Sequence, residues 1–264
     1  MPTTYTHDLF GKKVYQMLPR EMQDLIKENG NIYRIGLLGP DILFYDLLDK
    51  EVINIGKRMH ARKAAWFFEQ GMERIRERGS RQMLAYLLGF ACHYILDSKC
   101  HPYVYQLDEN QVISHTAVEK ELDRHLMLKS GIDPFSYYPA SVLRPKLRYA
   151  RSIHKLIPEV STEKVIKCLN GIKFYTKFMV YDDGGKKRFV VSILSKFAGK
   201  KTAEMVTDFF MAKEPVRGSK VPVARLEKLF HEALEEAPEL LIELYQLVEA
   251  PYALSERWNQ TYNG

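Results

Sequence analysis

The segment from His93 to His101 carries the residues with the clearest capacity for chemistry. His93, Asp97 and His101 follow one another at intervals of four residues. A helix turns once every ~3.6 residues, so each step of four moves only about 40° around the axis and the three side chains share one stripe. Imidazole nitrogen and carboxylate oxygen are ligands that zinc accepts, whereas buried polar side chains without partners are costly. The spacing therefore predicts a metal-binding stripe on a helix.

A second pair of candidate ligands follows on the next predicted helix. His115 and Glu119 are also four residues apart, which places both on one face of that helix. Asp123 continues the stripe by one more turn and is expected to orient a ligand through a hydrogen bond. A single pair of this kind is more often a solvated ion pair on a helix surface. Two consecutive helices that each carry such residues favour a shared metal site over that interpretation.

The elements that must position these residues are helices. Apolar residues recur at intervals of three and four along most of the chain, which predicts an all-α fold. One helix is expected from Met59 to Arg78. The next is expected from Arg81 to His101, with Ser80 as its N-cap and Pro102 as its stop. Glycines and a proline between Asn29 and Pro40 predict a loop there.

The order of the candidate ligands along the chain resembles that of the zinc-dependent phospholipase C family, whose all-helical fold is shared with the single-strand-specific nucleases. The resemblance rests on the stripe of His93, Asp97 and His101 and on the pair of His115 and Glu119. Three more family positions have counterparts within short motifs: Thr6-His7-Asp8-Leu9, Gly39-Pro40-Asp41-Ile42 and Met59-His60-Ala61, the last at the start of a helix. The resemblance covers residues 5–125, about half of the chain.

This resemblance implies a set of zinc ligands and their distribution. One ion would be held by Asp41, His60, His93 and Asp97, a second by His101, His115 and Glu119, and a third by His7 and Asp97. In secreted members of the family the third ion also binds the N-terminal residue, a tryptophan exposed by processing, whereas this chain starts at Met1. We therefore expect two or three zinc ions. Ligation by His, Asp and Glu leaves manganese and iron open as alternatives.

The family's chemistry would make the chain a metal-dependent phosphodiesterase, a hydrolase of the phospholipase C type. Clustered divalent ions offset the charge that develops on a phosphate ester and lower the pKa of a bound water towards ~7. Asp41 is expected to be either a ligand or the general base that takes the proton of this water, with Asp46 as the alternative base. Two other functions stay open: a nuclease acting on single strands, and a non-enzymatic protein whose helices are held together by metal.

The bulk composition is that of a globular protein with a modest basic excess. The 264 residues carry a formal net charge of +6 and are 46% hydrophobic, which does not indicate a nucleic-acid binder. Three sparse cysteines argue against a disulfide framework, and the first residues do not resemble a secretory signal, so we expect a cytoplasmic protein. No linker rich in Gly, Pro or Ser is visible. We expect one helical domain over residues 1–264, with a metal-site core at 1–140 and a helical remainder at 141–264.

The segment 186–201 combines an apolar helical face with basic residues at both ends. This pattern fits a helix that lies on an anionic membrane surface. A solvated helix that packs its apolar face on the core is the commoner case. The expected partner is a phosphate-ester substrate, with phospholipid among the candidates. Peripheral membrane contact through 186–201 stays open, and nucleic acid is not expected.

Overall fold

The computed structural model describes residues 4–179, 185–197, 199, 206–211, 214–250 and 252–264. None of these described residues lies in a strand, which confirms the predicted all-α fold. The α-helices are α1 (Thr4–Met17), α2 (Arg20–Glu28), α3 (Gly30–Gly36), α4 (Lys50–Ala61), α5 (Ala64–Arg78), α6 (Arg81–Glu109), α7 (His115–Lys129), α8 (Leu147–Leu156), α9 (Thr162–Met179), α10 (Lys186–Phe197) and α11 (Lys220–Gln246). Short 3₁₀ helices cover Gly39–Tyr45, Pro139–Val142 and Glu256–Asn259. Within the described ranges, no helix combines the length and the apolar character needed to cross a bilayer.

The chain divides into two compact units, each built from three separate stretches. The first unit consists of Met1–Thr6, Tyr103–Ser141 and Phe174–Lys228. The second unit consists of His7–Pro102, Val142–Lys173 and Leu229–Gly264. The interpretation of the whole chain as one domain, with a metal-site core at 1–140, stays a prediction.

The core of the second unit forms around α6. Leu87, Phe90 and Tyr94 on this helix have no exposed surface. A helix that is apolar on all sides must be surrounded by other elements. Phe68 of α5 and Trp258 near the end of the chain pack their rings against it. The stripe that begins at His93 therefore starts inside a packed core.

The start of α6 is as predicted, but its end is not. The Ser80 hydroxyl accepts a hydrogen bond from the Met83 N–H at 3.2 Å, so Ser80 is the N-cap. The helix continues through Pro102 to Glu109, and the prediction that Pro102 stops it is wrong. A proline inside a helix costs a backbone hydrogen bond and a steric clash. Burial of Cys100 and Val104 on either side indicates that packing outweighs this cost.

The prediction of a loop between Asn29 and Pro40 is wrong for most of that segment, because α3 occupies Gly30–Gly36. Gly36 allows α3 to pack closely against α6 and does not form a turn. A Cβ atom at this position would lie 2.3 Å from the Tyr86 carbonyl oxygen of α6, so only glycine permits this approach between the two helices.

The predicted single helix from Met59 to Arg78 is two helices. Helix α4 ends at Ala61 and α5 begins at Ala64, with Arg62 in an extended conformation between them. The Ala64 N–H donates to the Gln260 carbonyl at 3.0 Å. A residue near the end of the chain therefore satisfies the first free N–H of α5, which an uninterrupted helix would have bonded internally.

The first unit contains α7 and α10. Ser114 is the N-cap of α7, because its hydroxyl accepts from the Ala117 N–H at 3.2 Å. The same hydroxyl donates to Asp208 at 2.6 Å. These bonds hold the helix start that presents His115.

Candidate metal centre

Asp97 lies among imidazole rings inside the second unit. Its carboxylate oxygens are 2.9 Å from Nε2 of His93 and 3.2 Å from Nε2 of His7. Nε2 of His101 is 3.8 Å away. All four side chains are buried. The stripe predicted from the spacing of α6 is therefore present, and α1 adds His7 to it.

Asp41 and His60 form a second group with His93. Oδ1 of Asp41 is 3.1 Å from Nε2 of His60. Candidate ligand atoms of Asp41, His60 and His93 all lie within 4.8 Å of one another, and the same holds for His7, His93 and Asp97. His93 belongs to both groups, so the structure brings five predicted ligands of the second unit together. His60 closes α4 rather than opening a helix, which corrects that detail of the prediction.

Three of these imidazole rings share one orientation, in which Nδ1 faces a main-chain carbonyl oxygen. The distances are 2.8 Å from His60 to Gly56, 3.2 Å from His93 to Leu37 and 2.9 Å from His101 to Tyr262. A carbonyl only accepts, so Nδ1 carries the ring proton and Nε2 of the neutral ring presents a lone pair. Histidines that bind metals are held in this way.

The contact between His93 and Asp97 indicates how well the group fits a cation. Nε2 of His93 lies 2.9 Å from Oδ2 of Asp97, yet this buried nitrogen makes no aligned hydrogen bond with any described residue. A ring lone pair and a carboxylate oxygen repel each other at such a distance, and a cation between them removes the repulsion. The donor set of imidazole nitrogen and carboxylate oxygen is one that zinc accepts, so these residues fit the metal.

The protonation states of the two carboxylates also suit a cation site. Burial by itself would raise the pKa of Asp97, but His101 and His93 outweigh it and hold that pKa well below its ordinary value. Burial likewise opposes the ionised form of Asp41, while its contacts with His60 and His93 help to lower its pKa. Both groups are therefore ionised at neutral pH. Ionised carboxylates in a buried site require a compensating charge.

The two stacked histidines of the site differ in their preference for a proton. The rings of His7 and His93 have centroids 4.3 Å apart. Burial, with a contribution from His93, lowers the pKa of His7. Burial also acts against a charged His93, but Asp97 outweighs it and raises the pKa of His93. His7 is thus neutral, whereas the position between Nε2 of His93 and Asp97 favours a cation, for which a proton and a metal ion compete.

The remaining predicted ligands lie in different units. In the first unit, Nε2 of His115 is 3.1 Å from Oε1 of Glu119. The main-chain N–H of His115 donates to the Asp108 carboxylate at 3.1 Å. The predicted pair on one face of α7 is therefore present. His101 belongs to the second unit. That His101, His115 and Glu119 share one ion stays a prediction.

Asp123 contacts the first turn of α1. Its carboxylate accepts the Thr6 N–H at 2.8 Å, the Tyr5 N–H at 3.3 Å and the Thr6 hydroxyl. These N–H groups have no partner inside their own helix. Asp123 therefore caps the turn that immediately precedes His7, within the first unit.

We expect Asp123 to make the metal-free protein less stable as the pH rises. Burial raises the pKa of Asp123 to about 7, while the unfolded chain has an aspartate pKa of about 4. The protonated form is favoured in the folded state, so its contribution is complete below pH ~4 and is lost as the pH rises towards ~7. The loss reaches at most about 1.4 kcal/mol per pH unit.

Urea unfolding of the metal-free protein between these pH values checks this expectation. The variant Asp123→Asn keeps an oxygen for Thr6 but does not titrate, so its unfolding free energy should fall less steeply with pH than that of the wild type. Asp24→Asn, at an exposed position, is the control and should follow the wild type. Parallel curves for wild type and Asp123→Asn would contradict the assignment.

The end of the chain contributes to the site, and sequence reasoning missed it. Tyr262 accepts from Nδ1 of His101 through its carbonyl at 2.9 Å and donates its N–H to the His60 carbonyl at 3.2 Å. Its ring lies 5.4 Å from that of His60. The segment is anchored by Trp258, whose Nε1–H donates to Glu243 at 2.9 Å. The two aromatic residues Trp258 and Tyr262, four positions apart, are the feature of the local sequence that could have indicated a buried segment.

We expect Tyr262→Phe to leave stability unchanged or slightly raised. The Tyr262 hydroxyl is buried and makes no hydrogen bond within the described part of the chain, so its removal relieves a desolvation cost. Tyr94→Phe is the matched comparison, since the Tyr94 hydroxyl donates to the Arg257 carbonyl at 2.7 Å and its loss should cost about 1 kcal/mol. Urea unfolding of both variants gives the two changes in unfolding free energy that test this expectation. An equal loss in both would show that the Tyr262 hydroxyl has a partner in solution.

Asp46, the alternative base, is not a member of any group of ligand atoms formed by the described residues. Its Oδ1 is 2.9 Å from Nζ of Lys167, an ion pair that fits a structural carboxylate. Its role as a base stays a prediction.

Comparison with known proteins identifies one family. A family model described as zinc dependent phospholipase C matches residues 6–167, which is more than half of the 264 residues. The match spans every predicted ligand from His7 to Glu119 and extends beyond the motifs into α9. Comparisons with curated proteins and with solved structures gave no match.

Proposed function

Because the chain belongs to the zinc-dependent phospholipase C family, we propose that it is a zinc-dependent phosphodiesterase of the phospholipase C type. It would hydrolyse a phosphodiester and release a phosphate monoester. The observation that carries this proposal is the carboxylate of Asp97, buried between the Nε2 atoms of His7 and His93. An ionised carboxylate that lies between two imidazole rings, one of which directs a lone pair at it, is arranged for a divalent cation.

The residues proposed to hold zinc are the candidate ligands described above. Asp41, His60 and His93 would bind one ion, with Asp97 shared between it and a second ion at His7. His101, His115 and Glu119 are proposed as the ligands of a further ion. Zinc bound in such a site polarises phosphoryl oxygens and activates water for attack on phosphorus.

The protein's own residues prepare the site before any substrate arrives. Main-chain carbonyls hold the rings of His60 and His93 with Nε2 directed away from the backbone, so no reorientation is needed on binding. Burial of Asp97 excludes water and strengthens its attraction for cations. The lowered pKa of Asp41 supports a ligand role, because a general base works best with a pKa near the operating pH. The general-base role of Asp41 stays a prediction.

The test is zinc content and hydrolysis measured on the same preparation. Protein purified without chelator should contain zinc and cleave a chromogenic phosphodiester and a diacyl phospholipid. Removing the zinc should lower the rate at least about a thousandfold, and reloading should restore it. Single-stranded DNA is the competing substrate.

Three outcomes would overturn the proposal. Folded protein that cannot be loaded with zinc would show that the chain shares the family's fold but not its zinc-dependent activity. Zinc-loaded protein that cleaves no phosphodiester, and unfolds when the zinc is removed, would indicate a structural metal. Preferential cleavage of single-stranded DNA would indicate a nuclease.

A further inference from the structure

Helix α10 exposes the apolar side chains that a surface helix normally buries. None of its residues is buried. Phe189 is 68% exposed, Ile193 40% and Phe197 85%, while Val190 and Leu194 are half-buried. A solvated amphipathic helix would place its phenylalanines against the protein and its polar residues in water. In α10 the two valines and the leucine are half-buried, whereas both phenylalanines are exposed.

The exposed apolar residues form a continuous stripe, which we call the outer stripe. Phe189, Ile193 and Phe197 are four residues apart, so each is displaced by only about 40° around the helix axis from the one before. Single apolar residues are common on protein surfaces, but a row that includes two aromatic rings marks a surface that contacts another apolar medium.

The charges of α10 indicate the chemistry of that medium. The sequence of this helix contains Lys186, Lys187, Arg188 and Lys196 and no acidic residue. Three of these basic residues occupy the first turn, where the helix dipole is already positive, and this arrangement is unfavourable for an isolated helix. An anionic surface against the helix would attract these side chains and oppose the positive end of the dipole.

We propose that α10 docks on an anionic phospholipid bilayer, with the outer stripe inserted at the level of the headgroups and acyl chains. An interfacial helix needs an apolar face and basic residues beside it, and α10 has both. A second copy of the chain is a poorer occupant, because two such helices would bring like charges together. The inference rests on the proposed function, since docking would bring the hydrolase to its lipid substrate.

Sedimentation of the full chain with vesicles tests the docking. One vesicle population is phosphatidylcholine alone and the other adds phosphatidylglycerol. The wild type should bind the anionic vesicles, and Phe189→Ser/Phe197→Ser should weaken binding at least about tenfold. Arg188→Glu/Lys196→Glu should remove the preference for anionic vesicles, with about a fivefold loss for each positive charge removed.

Leu48→Ser is the matched control, because Leu48 is also an exposed apolar residue, at 90%, but is not part of the outer stripe. This variant should bind as the wild type does. Circular dichroism and zinc content establish that each variant is folded and loaded.

Several results would overturn docking on a bilayer. They are an absence of binding by the wild type, equal binding by Phe189→Ser/Phe197→Ser, or a wild-type dimer in sedimentation velocity that this variant dissociates. The last result would make the outer stripe an interface between copies.

Hydrolysis of a short-chain phospholipid, dissolved as monomers, separates this inference from the proposed function. Monomers need no surface, so Phe189→Ser/Phe197→Ser should hydrolyse them at the wild-type rate while losing activity on vesicles. A wild type that binds vesicles but hydrolyses no phosphodiester would leave the docking standing and refute the phosphodiesterase. A wild type that hydrolyses monomers but does not bind vesicles would support the phosphodiesterase and refute the docking.

Discussion

Replacing Asp97 by asparagine is expected to remove at least one zinc ion per chain and to lower phosphodiester hydrolysis at least about a thousandfold. Asparagine has nearly the same shape but no charge. Its amide cannot neutralise a cation that lies between His7 and His93, both of which approach the Asp97 carboxylate within 3.2 Å. Elemental analysis beside the rate measurement checks both parts of the prediction.

Asp8→Asn is the control for this experiment. Asp8 is also a buried carboxylate, but it is ion-paired with Arg34 at 3.0 Å and is not a member of any ligand group formed by the described residues. Its replacement should lower stability while the zinc content stays the same. Loss of zinc in both variants would show that any buried charge in this unit matters, and retention in Asp97→Asn would remove Asp97 from the ligands.

Replacing Gly39 by alanine is expected to weaken zinc binding about 10- to 100-fold although every ligand is retained. Gly39 has a φ of +51°, and a Cβ atom there would lie 2.2 Å from Cδ2 of His93. The imidazole must therefore shift from its position beside Asp97 and Asp41. The strained backbone should also lower the unfolding free energy by about 1 to 3 kcal/mol.

Gly30→Ala is the matched control, since it makes the same change in the same stretch of chain. No atom of the described residues lies within 4 Å of a Cβ at Gly30, and alanine favours the helix by up to about 1 kcal/mol. Zinc titration with a competing chelator and urea unfolding should show an unchanged affinity and an equal or higher stability. If Gly39→Ala behaved in the same way, the close approach to His93 would not restrict the ring.

The parts of the site that sequence could predict are those that depend on one helix at a time. The interval of four between His93, Asp97 and His101 places them on one stripe in any α-helix, and the structure has that stripe. The pair of His115 and Glu119 follows the same rule. Periodic apolar residues likewise predicted an all-helical chain, because helix geometry repeats along each segment.

Predictions failed where a distant segment decided a local outcome. Pro102 was expected to end a helix, but buried neighbours carry α6 past it. His60 was expected to open a helix, but Gln260 satisfies the first N–H of α5 and lets α4 end beside His60. The residues next to Pro102 and His60 in the sequence do not reveal either of these tertiary contacts.

By itself the sequence determined the helical class and the residue types of the site, since both follow from local spacing and from side-chain chemistry. Only the tertiary structure decided that Asp41 and His60 meet His93, that the Tyr262 carbonyl orients His101, and that Phe189 and Phe197 face outward. Contacts between residues far apart in the chain are selected by the packing of whole helices. The energy of that packing is shared among many side chains and leaves no local pattern.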